Sequence, residues 1–512
     1  MNKNRRKRGA PGYFPSVLFS GQRSVYNEDP DDKGDREQLF TAQVLKEQYW
    51  KRTYGEVRTA LEDTLYMLGK YGFGVEMGHK EVGGVKAKMG TTGHYDHVME
   101  QLEIDWKYAD AMQAADNENQ VKYIVRDIFT KHGLDVTFMA KPFDGVAGSG
   151  EHTHIGLAAK LKNGKMVSLF APADMKKEFM SPLGFGALMG LLKNYEVVNP
   201  FISATNDSLN RLKPGFEAPV CIVTSLGKSV DQPSRNRTVL VGLIRDSANP
   251  LSTRFELRAP NPKSDTYLVL STSFMAIIDG MLAVVEAGKT PAELEKSLSK
   301  KYGEEDFYLE RDREYRSEED VFEFYTQDER EKLFGRAPAT VWENLQAFDL
   351  YPEKMKIYDR TFPVDVVMPG RATLKKGAKG AVSLDLAGTP VKKGESVMSS
   401  VIIDSYRTQV LSQWKTELHD RLIPETMDFV RSCRKLHTDD DYSDYDVRNW
   451  ITIDRLRHEI AKTSLNGKSL LAQAKDALDE GRFDDAAELQ LKIKDRVADL
   501  RSRYEEYKKN LL

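Results

Sequence analysis

Apolar residues recur every three or four positions between Leu39 and Lys70, with Val44, Leu45, Tyr49, Val57, Leu61, Leu65 and Leu68 on the repeat. That period predicts an amphipathic helix, which Gly72 ends. The pattern then turns strand-like from Phe73 to Val82 and enters a glycine-rich insert, VGGVKAKMGTTGHYDHV, which reads as a mobile loop carrying His94, Asp96 and His97. Histidines three apart could ligate a metal, but the glycines leave them no rigid support. A helical stretch, Ala115 to Phe129, follows, and then β-branched and aromatic residues predict a strand from Leu134 to Ala140 that Lys141-Pro142 terminates. Gly145, Gly148 and Gly150 form a turn, and His152 and His154 alternate along the returning strand, on the opposite face from Glu151 and Thr153.

Further along, Met166 to Ala171 reads as a strand, Phe185 to Leu192 as a closely packing small-residue helix, and Asn206 to Pro219 as a loop. Tyr267 to Ala287 is the longest apolar stretch, but Ser271, Thr272, Ser273 and Asp279 interrupt it, which suits a buried helix rather than a membrane span. Residues 289–365 are acidic and aromatic, with helical signals and no assignable chemistry. The organisation expected is an irregular basic segment 1–38, a catalytic domain 39–369, an exposed loop 370–394 and a helical region 395–512. In the last helix Leu489, Ile493, Val497, Leu500, Tyr504 and Tyr507 form an apolar stripe suited to antiparallel helix packing or to a subunit contact.

Composition narrows this. The 512 residues, 40% hydrophobic and 30% charged, match a globular profile of more than one domain, and a net charge of −3 provides no overall field for nucleic acid or an anionic membrane. Phosphates must therefore be met locally. The run Arg5 to Arg8 reads as a solvated tail, and no apolar stretch follows it as in a secretory signal. Cys221 and Cys433 stand far apart without a CxxC pattern, which points to a reducing, cytoplasmic setting and excludes a thiolate zinc site.

Two histidines on one strand face beside a glycine loop suit a cleft for a metal and a phosphate, or else a polar hairpin with solvated imidazoles. Arg254, Glu256 and Arg258 alternate on another strand, a pattern foreign to an ordinary core. They form either the wall of an anion- and metal-holding cleft or a structural salt-bridge ladder.

Taken together, KPFDGVAGSGEHTH, GVEMGHKEV, NDSLNRLKPGFEAP, SRNRT and RFELRAPNP, in their chain order, resemble the motif blocks of glutamine synthetases over about residues 40 to 285. The resemblance implies an α+β catalytic domain in which an antiparallel sheet lines a cleft, helices cover the outside, and a helical C-terminal extension follows. It implies ATP-dependent formation of glutamine from glutamate and ammonia with Mg²⁺ or Mn²⁺. Matched motif by motif, it implies Glu81, Glu103, His152 and Glu256 as metal ligands, and His154, Arg237 and Arg254 at ATP. Gly148, Arg211 and Arg258 would meet the substrate, Glu217 would be the flap glutamate that takes the ammonium proton, and Arg237 would stabilise the transferring phosphoryl group.

Three departures qualify the match. Gly242 stands where a second arginine is expected, with Arg245 nearest, and Ala147 stands where an asparagine usually helps hold the substrate amino group. The latter leaves open a γ-glutamyl-amine ligase acting on polyamines or ethanolamine. No E-x-E strand or small N-terminal β domain precedes the matched blocks, so two expected metal carboxylates are missing. That suggests part of a longer or split enzyme, or a non-catalytic relative acting as scaffold or sensor. The family's ring assemblies imply a large homo-oligomer.

Overall fold

The computed structural model describes residues 17–24, 55–81, 86–89, 95–142, 147–213, 218–219, 221–359, 374–376, 381–384, 389–392, 400–435, 444–463 and 467–510. The chain divides into two compact units, residues 1–339 with 347–402 and residues 340–346 with 403–512.

Two sheets of the first unit, one of five strands and one of four, carry the residues of interest. In the larger, β1 (Val17–Ser24) lies between β4 (Tyr95–Trp106) and β5 (Leu134–Thr137). On its other edge β4 pairs with β2 (Val75–Lys80) and β3 (Lys86–Met89), and every pairing is antiparallel. One face packs under helices α1 (Gly55–Lys70) and α2 (Ala111–Lys131). Leu61 and Leu68 of α1, Val121, Val125 and Phe129 of α2, and Leu102, Ile104 and Trp106 of β4 form that core. Burying such side chains contributes about 1.5–3 kcal/mol each. Gly78 permits the close approach, since a Cβ there would fall 2.9 Å from Leu65 Cδ2.

The smaller sheet has the order β6 (Thr153–Ile155), β13 (Arg254–Leu257), β12 (Val241–Ile244), β9 (Thr224–Ser225), with β9 parallel to β12 and the rest antiparallel. Two hairpins lie between these strands in sequence, β7 (Ala158–Lys160) with β8 (Met166–Ser168) and β10 (Gly227–Ser229) with β11 (Gln232–Pro233). Helices α3 (Pro182–Lys193), α4 (Tyr195–Ile202), α5 (Asn206–Arg211) and α6 (Thr266–Ala287) complete this part. By length and hydropathy α6 could cross a membrane. Here it is a core helix that meets α3 backbone to backbone, because a Cβ on Gly190 would lie 2.1 Å from Ala276 O and one on Gly280 2.0 Å from Gly186 O.

The second unit is helical. Phe483–Asn510 packs against Asp444–Ala461 and Leu470–Asp479, and Ile493, Leu500, Tyr504 and Tyr507 are buried there. Intramolecular helix packing therefore takes up this part of the stripe.

Four expectations are corrected. Val17–Ser24, expected to be irregular, supplies an inner strand whose backbone groups pair on both sides. The insert expected as a loop places Lys86–Met89 and Tyr95 onward in an antiparallel pair. Asn206 to Arg211 is a short buried helix rather than loop, tied down by the Asp207 carboxylate accepting from the Ala140 amide at 2.8 Å. The expected exposed loop 370–394 contains a three-stranded antiparallel sheet, Leu374–Lys376, Ala381–Leu384 and Thr389–Lys392. In three of the four, cross-strand pairing between segments with weak local signals decided the outcome.

Candidate active site

Antiparallel pairing sets the first half of the site. His79 lies opposite Glu103, and the Glu81 amide donates to the Gln101 carbonyl at 2.9 Å. With a side-chain period of two, His79 and Glu81 share a face with Gln101, Glu103 and Asp105, while Lys80, Leu102 and Ile104 take the other. One ligand atom from each of His79, Glu81 and Glu103 lies within 4.8 Å of the others. Glu103 is thus a strand residue. His79 Nε2 is 4.0 Å from Glu103 and 3.6 Å from Asp105. Burial opposes the charged imidazole, but the neighbouring Asp105 carboxylate, the Lys80 carbonyl and the Glu103 charge hold its pKa above the ordinary value. Burial in turn raises the Asp105 carboxyl.

The second half is built on β6 and β13. His154 pairs with Glu256 across the strands, and His152 Nδ1 approaches Glu256 Oε1 at 3.0 Å. Burial, with Arg258 adding to it, lowers His152 to about 4, and burial lowers His154 to about 3, so both imidazoles are neutral at ordinary pH. Burial works against the Glu256 carboxylate, yet His152 and Arg258 hold its pKa far below the usual range. Arg258 donates to Glu256 at 2.7 Å and to the Arg237 carbonyl at 3.1 Å. Arg254 donates to His154 Nδ1 at 3.0 Å and to the Ser252 carbonyl at 2.9 Å.

A glycine loop joins the halves. Gln101 Nε2 donates to the Gly148 carbonyl at 3.1 Å, which brings the segment before His152 against the first half. Glycine is required there by close approach. A Cβ on Gly148 would lie 2.5 Å from Ala140 O, and one on Gly150 2.4 Å from Arg211 Nη2. Arg211 is buried and donates to the Ala259 and Arg258 carbonyls at 2.9 and 3.1 Å, with its Nη2 3.5 Å from His152. Its guanidinium therefore braces the strand end. Gly242 lies opposite Glu256, and a Cβ there would sit in ordinary van der Waals contact, 3.6 Å from Glu256 Oε2. Arg245 bonds the Met175 and Glu178 carbonyls. Arg237 is exposed. Glu217 and His94 lie outside the described residues.

The four expected metal ligands thus divide into two pairs, Glu81 with Glu103 and His152 with Glu256. The donor set fits a hard divalent ion, since carboxylate oxygens dominate it. One buried atom, Glu81 Oε2, has no hydrogen-bond partner among the described residues, as expected of a ligand atom that awaits a cation. Sequence reasoning missed His79 and Asp105, although period two placed both beside residues already singled out.

An α+β chain whose sheets present two groups of carboxylate and imidazole, flanked by arginines, has the donor types that could hold a divalent cation beside an anion. Comparison with known proteins makes this specific. Residues 35–311 match the family description "Glutamine synthetase, catalytic domain", and the chain belongs to the glutamine synthetase family. It is 34% identical to a glutamine synthetase of Clostridium saccharobutylicum over 243 residues, covering 47% of this chain and 46% of that protein. It is 36% identical to one of Aquifex aeolicus over 189 residues, 37% of each chain. The chain spans less than half the length of these curated relatives. A solved structure titled "GmaS/ADP complex-Conformation 1" aligns with a TM-score of 0.41 at 19% identity, covering 66% of this chain and 63% of that one, a likeness too loose to argue from.

Proposed function

We propose that this protein is an ATP-dependent ligase that phosphorylates the γ-carboxylate of glutamate and transfers the acyl group to ammonia, forming glutamine in the cytoplasm. The observation that carries this reading is the pair of ligand groups, Glu81 with Glu103 and His152 with Glu256, joined through Gln101 and Gly148. Bound Mg²⁺ or Mn²⁺ would neutralise charge on phosphoryl and carboxylate oxygens. Arg237, the exposed guanidinium of the set, is assigned to the transferring phosphoryl group, where a preorganised cation offsets developing charge. Arg254 holds the His154 ring by a hydrogen bond, and both are assigned to the nucleotide. Arg258 is assigned to the substrate carboxylate through donors beyond those used on Glu256 and Arg237, with Arg211 and Gly148 shaping that end. Glu217 is assigned to take the proton from ammonium. The enzyme works as a large homo-oligomer.

Ala147 favours a second reading, in which the acceptor is a larger amine, because a side-chain amide that would hold the substrate amino group is absent. The test is metal-dependent ADP release from ATP and glutamate with ammonia, ethanolamine or a polyamine as acceptor. Release with ammonia supports the first reading, and release only with another amine supports the second. No release with any acceptor overturns both and leaves a non-catalytic family member.

A further inference from the structure

Resting on the reading of this sheet face as a metal site, we propose that His79 is itself a ligand, so that one ion is held by His79, Glu81 and Glu103. We propose further that this set binds Mn²⁺ and Co²⁺ in preference to Mg²⁺. The ring is oriented for the role. His79 Nδ1 stands 3.1 Å from the Lys80 carbonyl, and a ring nitrogen facing a carbonyl oxygen must carry the hydrogen. The metal-competent nitrogen is then Nε2, the atom turned toward Glu103 Oε2 at 4.0 Å. This is how ligating imidazoles are commonly set, with the distal N–H tied to a backbone carbonyl.

The spacing also fits. Oxygen or nitrogen ligands at about 2.1 Å from an octahedral ion lie roughly 3 Å apart when adjacent and about 4.2 Å apart when opposed. The ligand atoms of His79, Glu81 and Glu103 all fall within 4.8 Å of one another, so small rotations would close them on a single ion. The His79 side chain is only 9% exposed, which holds the ring on this face. Glu81 Oε2 supplies the buried carboxylate oxygen that lacks a hydrogen-bond partner among the described residues. Asp105 Oδ2, 3.6 Å from the same nitrogen, places another carboxylate next to the ring.

The chemistry of the donors sets the preference. Mg²⁺ demands oxygen ligands in near-ideal octahedral geometry and sheds water reluctantly, whereas imidazole nitrogen suits the first-row transition ions, with affinity rising from Mn²⁺ to Co²⁺.

The test uses the full chain with Mn²⁺, Co²⁺ or Mg²⁺ alone as the probe. Because His152 could also give a nitrogen signal, the decisive background is His152→Ala. Pulsed EPR of Mn²⁺ bound to that variant is expected to show coupling to an imidazole nitrogen, and adding His79→Ala is expected to remove the coupling or the ion. By calorimetry, His79→Ala alone should weaken Mn²⁺ and Co²⁺ at one class of site by about tenfold or more, on the scale of losing a ligand or its support, with a smaller effect on Mg²⁺. His79→Gln serves if alanine prevents folding, and circular dichroism checks each variant. Mn²⁺ bound to His152→Ala without nitrogen coupling, coupling that survives in the double variant, or unchanged affinities in His79→Ala would overturn the proposal. ADP release, measured separately, tells this failure from failure of the ligase reading. Nitrogen coupling without turnover leaves His79 a ligand and removes the function, and turnover without coupling does the reverse.

Discussion

Lys122 on α2 stands between two carboxylates whose side chains are fully buried, 2.9 Å from Glu118 and 3.2 Å from Glu151. Glu151 also accepts from the Thr266 hydroxyl at 3.2 Å, and its amide donates to the Pro260 carbonyl at 2.8 Å. This cluster anchors the residue immediately before His152. Each contact is worth roughly 5 kcal/mol of Coulomb attraction at an effective dielectric near 20, much of it offset by desolvation. Removing the cation leaves both carboxylates buried, and Lys122→Met should cost about 3–5 kcal/mol at pH 8.

The loss should depend on pH in a definite direction. Burial, then the Glu118 charge, raises Glu151 well above the usual carboxyl range. An acid whose folded pKa is raised binds a proton that the unfolded chain releases, so its stabilisation is present at low pH and fades as pH rises past the unfolded value near 4.5. Burial opposes the Lys122 charge, but the two glutamates hold its pKa above the ordinary lysine value. Its stabilisation is therefore intact below about 10.5 and cannot produce a slope between pH 5.5 and 8 in the parent protein. Without it the buried Glu151 carboxyl favours protonation still more, and urea unfolding followed by tryptophan fluorescence should show Lys122→Met losing least at pH 5.5 and most at pH 8. Lys122→Met/Glu151→Gln should recover about half of the loss, because one buried charge is gone. A loss below about 1 kcal/mol, or one equal at both pH values, would refute this account of the cluster.

Three further outcomes are expected. The folded imidazoles of His152 and His154 stay neutral to about 4 and about 3, whereas unfolded ones titrate near 6.5, so the unfolded chain gains protons first as pH falls. Stability should drop between pH 7 and pH 4, by up to about 3 kcal/mol from His152, and His154→Asn should flatten the slope in a pH series of melts. Gly190→Ala drives a methyl into the Ala276 carbonyl and should cost about 3 kcal/mol or more, read as a lowered melting point or loss of soluble protein. Thr290 caps the helix Pro291–Leu298 in a reciprocal box with Glu293, and Thr290→Ala should cost about 1 kcal/mol by urea titration.

Much of the site was legible from residue spacing. Period two along a strand places His152 with His154, and Arg254 with Glu256 and Arg258, whatever their partners, because successive side chains alternate in any extended chain. The motif order identified the family and singled out Glu81 and Glu103. The small-residue helix from Phe185 to Leu192 reported close packing through its glycines, which meet the backbone of α6.

What tertiary structure decided is which faces meet. The register of β2 on β4 set His79 against Glu103, a pairing that no local pattern specifies, since sliding one strand by a single residue would turn these side chains to the other face. The burial that keeps His152 and His154 neutral and confines Lys122 between two carboxylates likewise comes from segments far apart in sequence. A charged residue's immediate neighbours do not reveal whether its charge will be solvated or paired in the interior. The strands at Val17–Ser24, Lys86–Met89 and Leu374–Lys376 carried too little local signal to be found, and they form because hydrogen-bonding partners elsewhere in the fold complete their backbone groups.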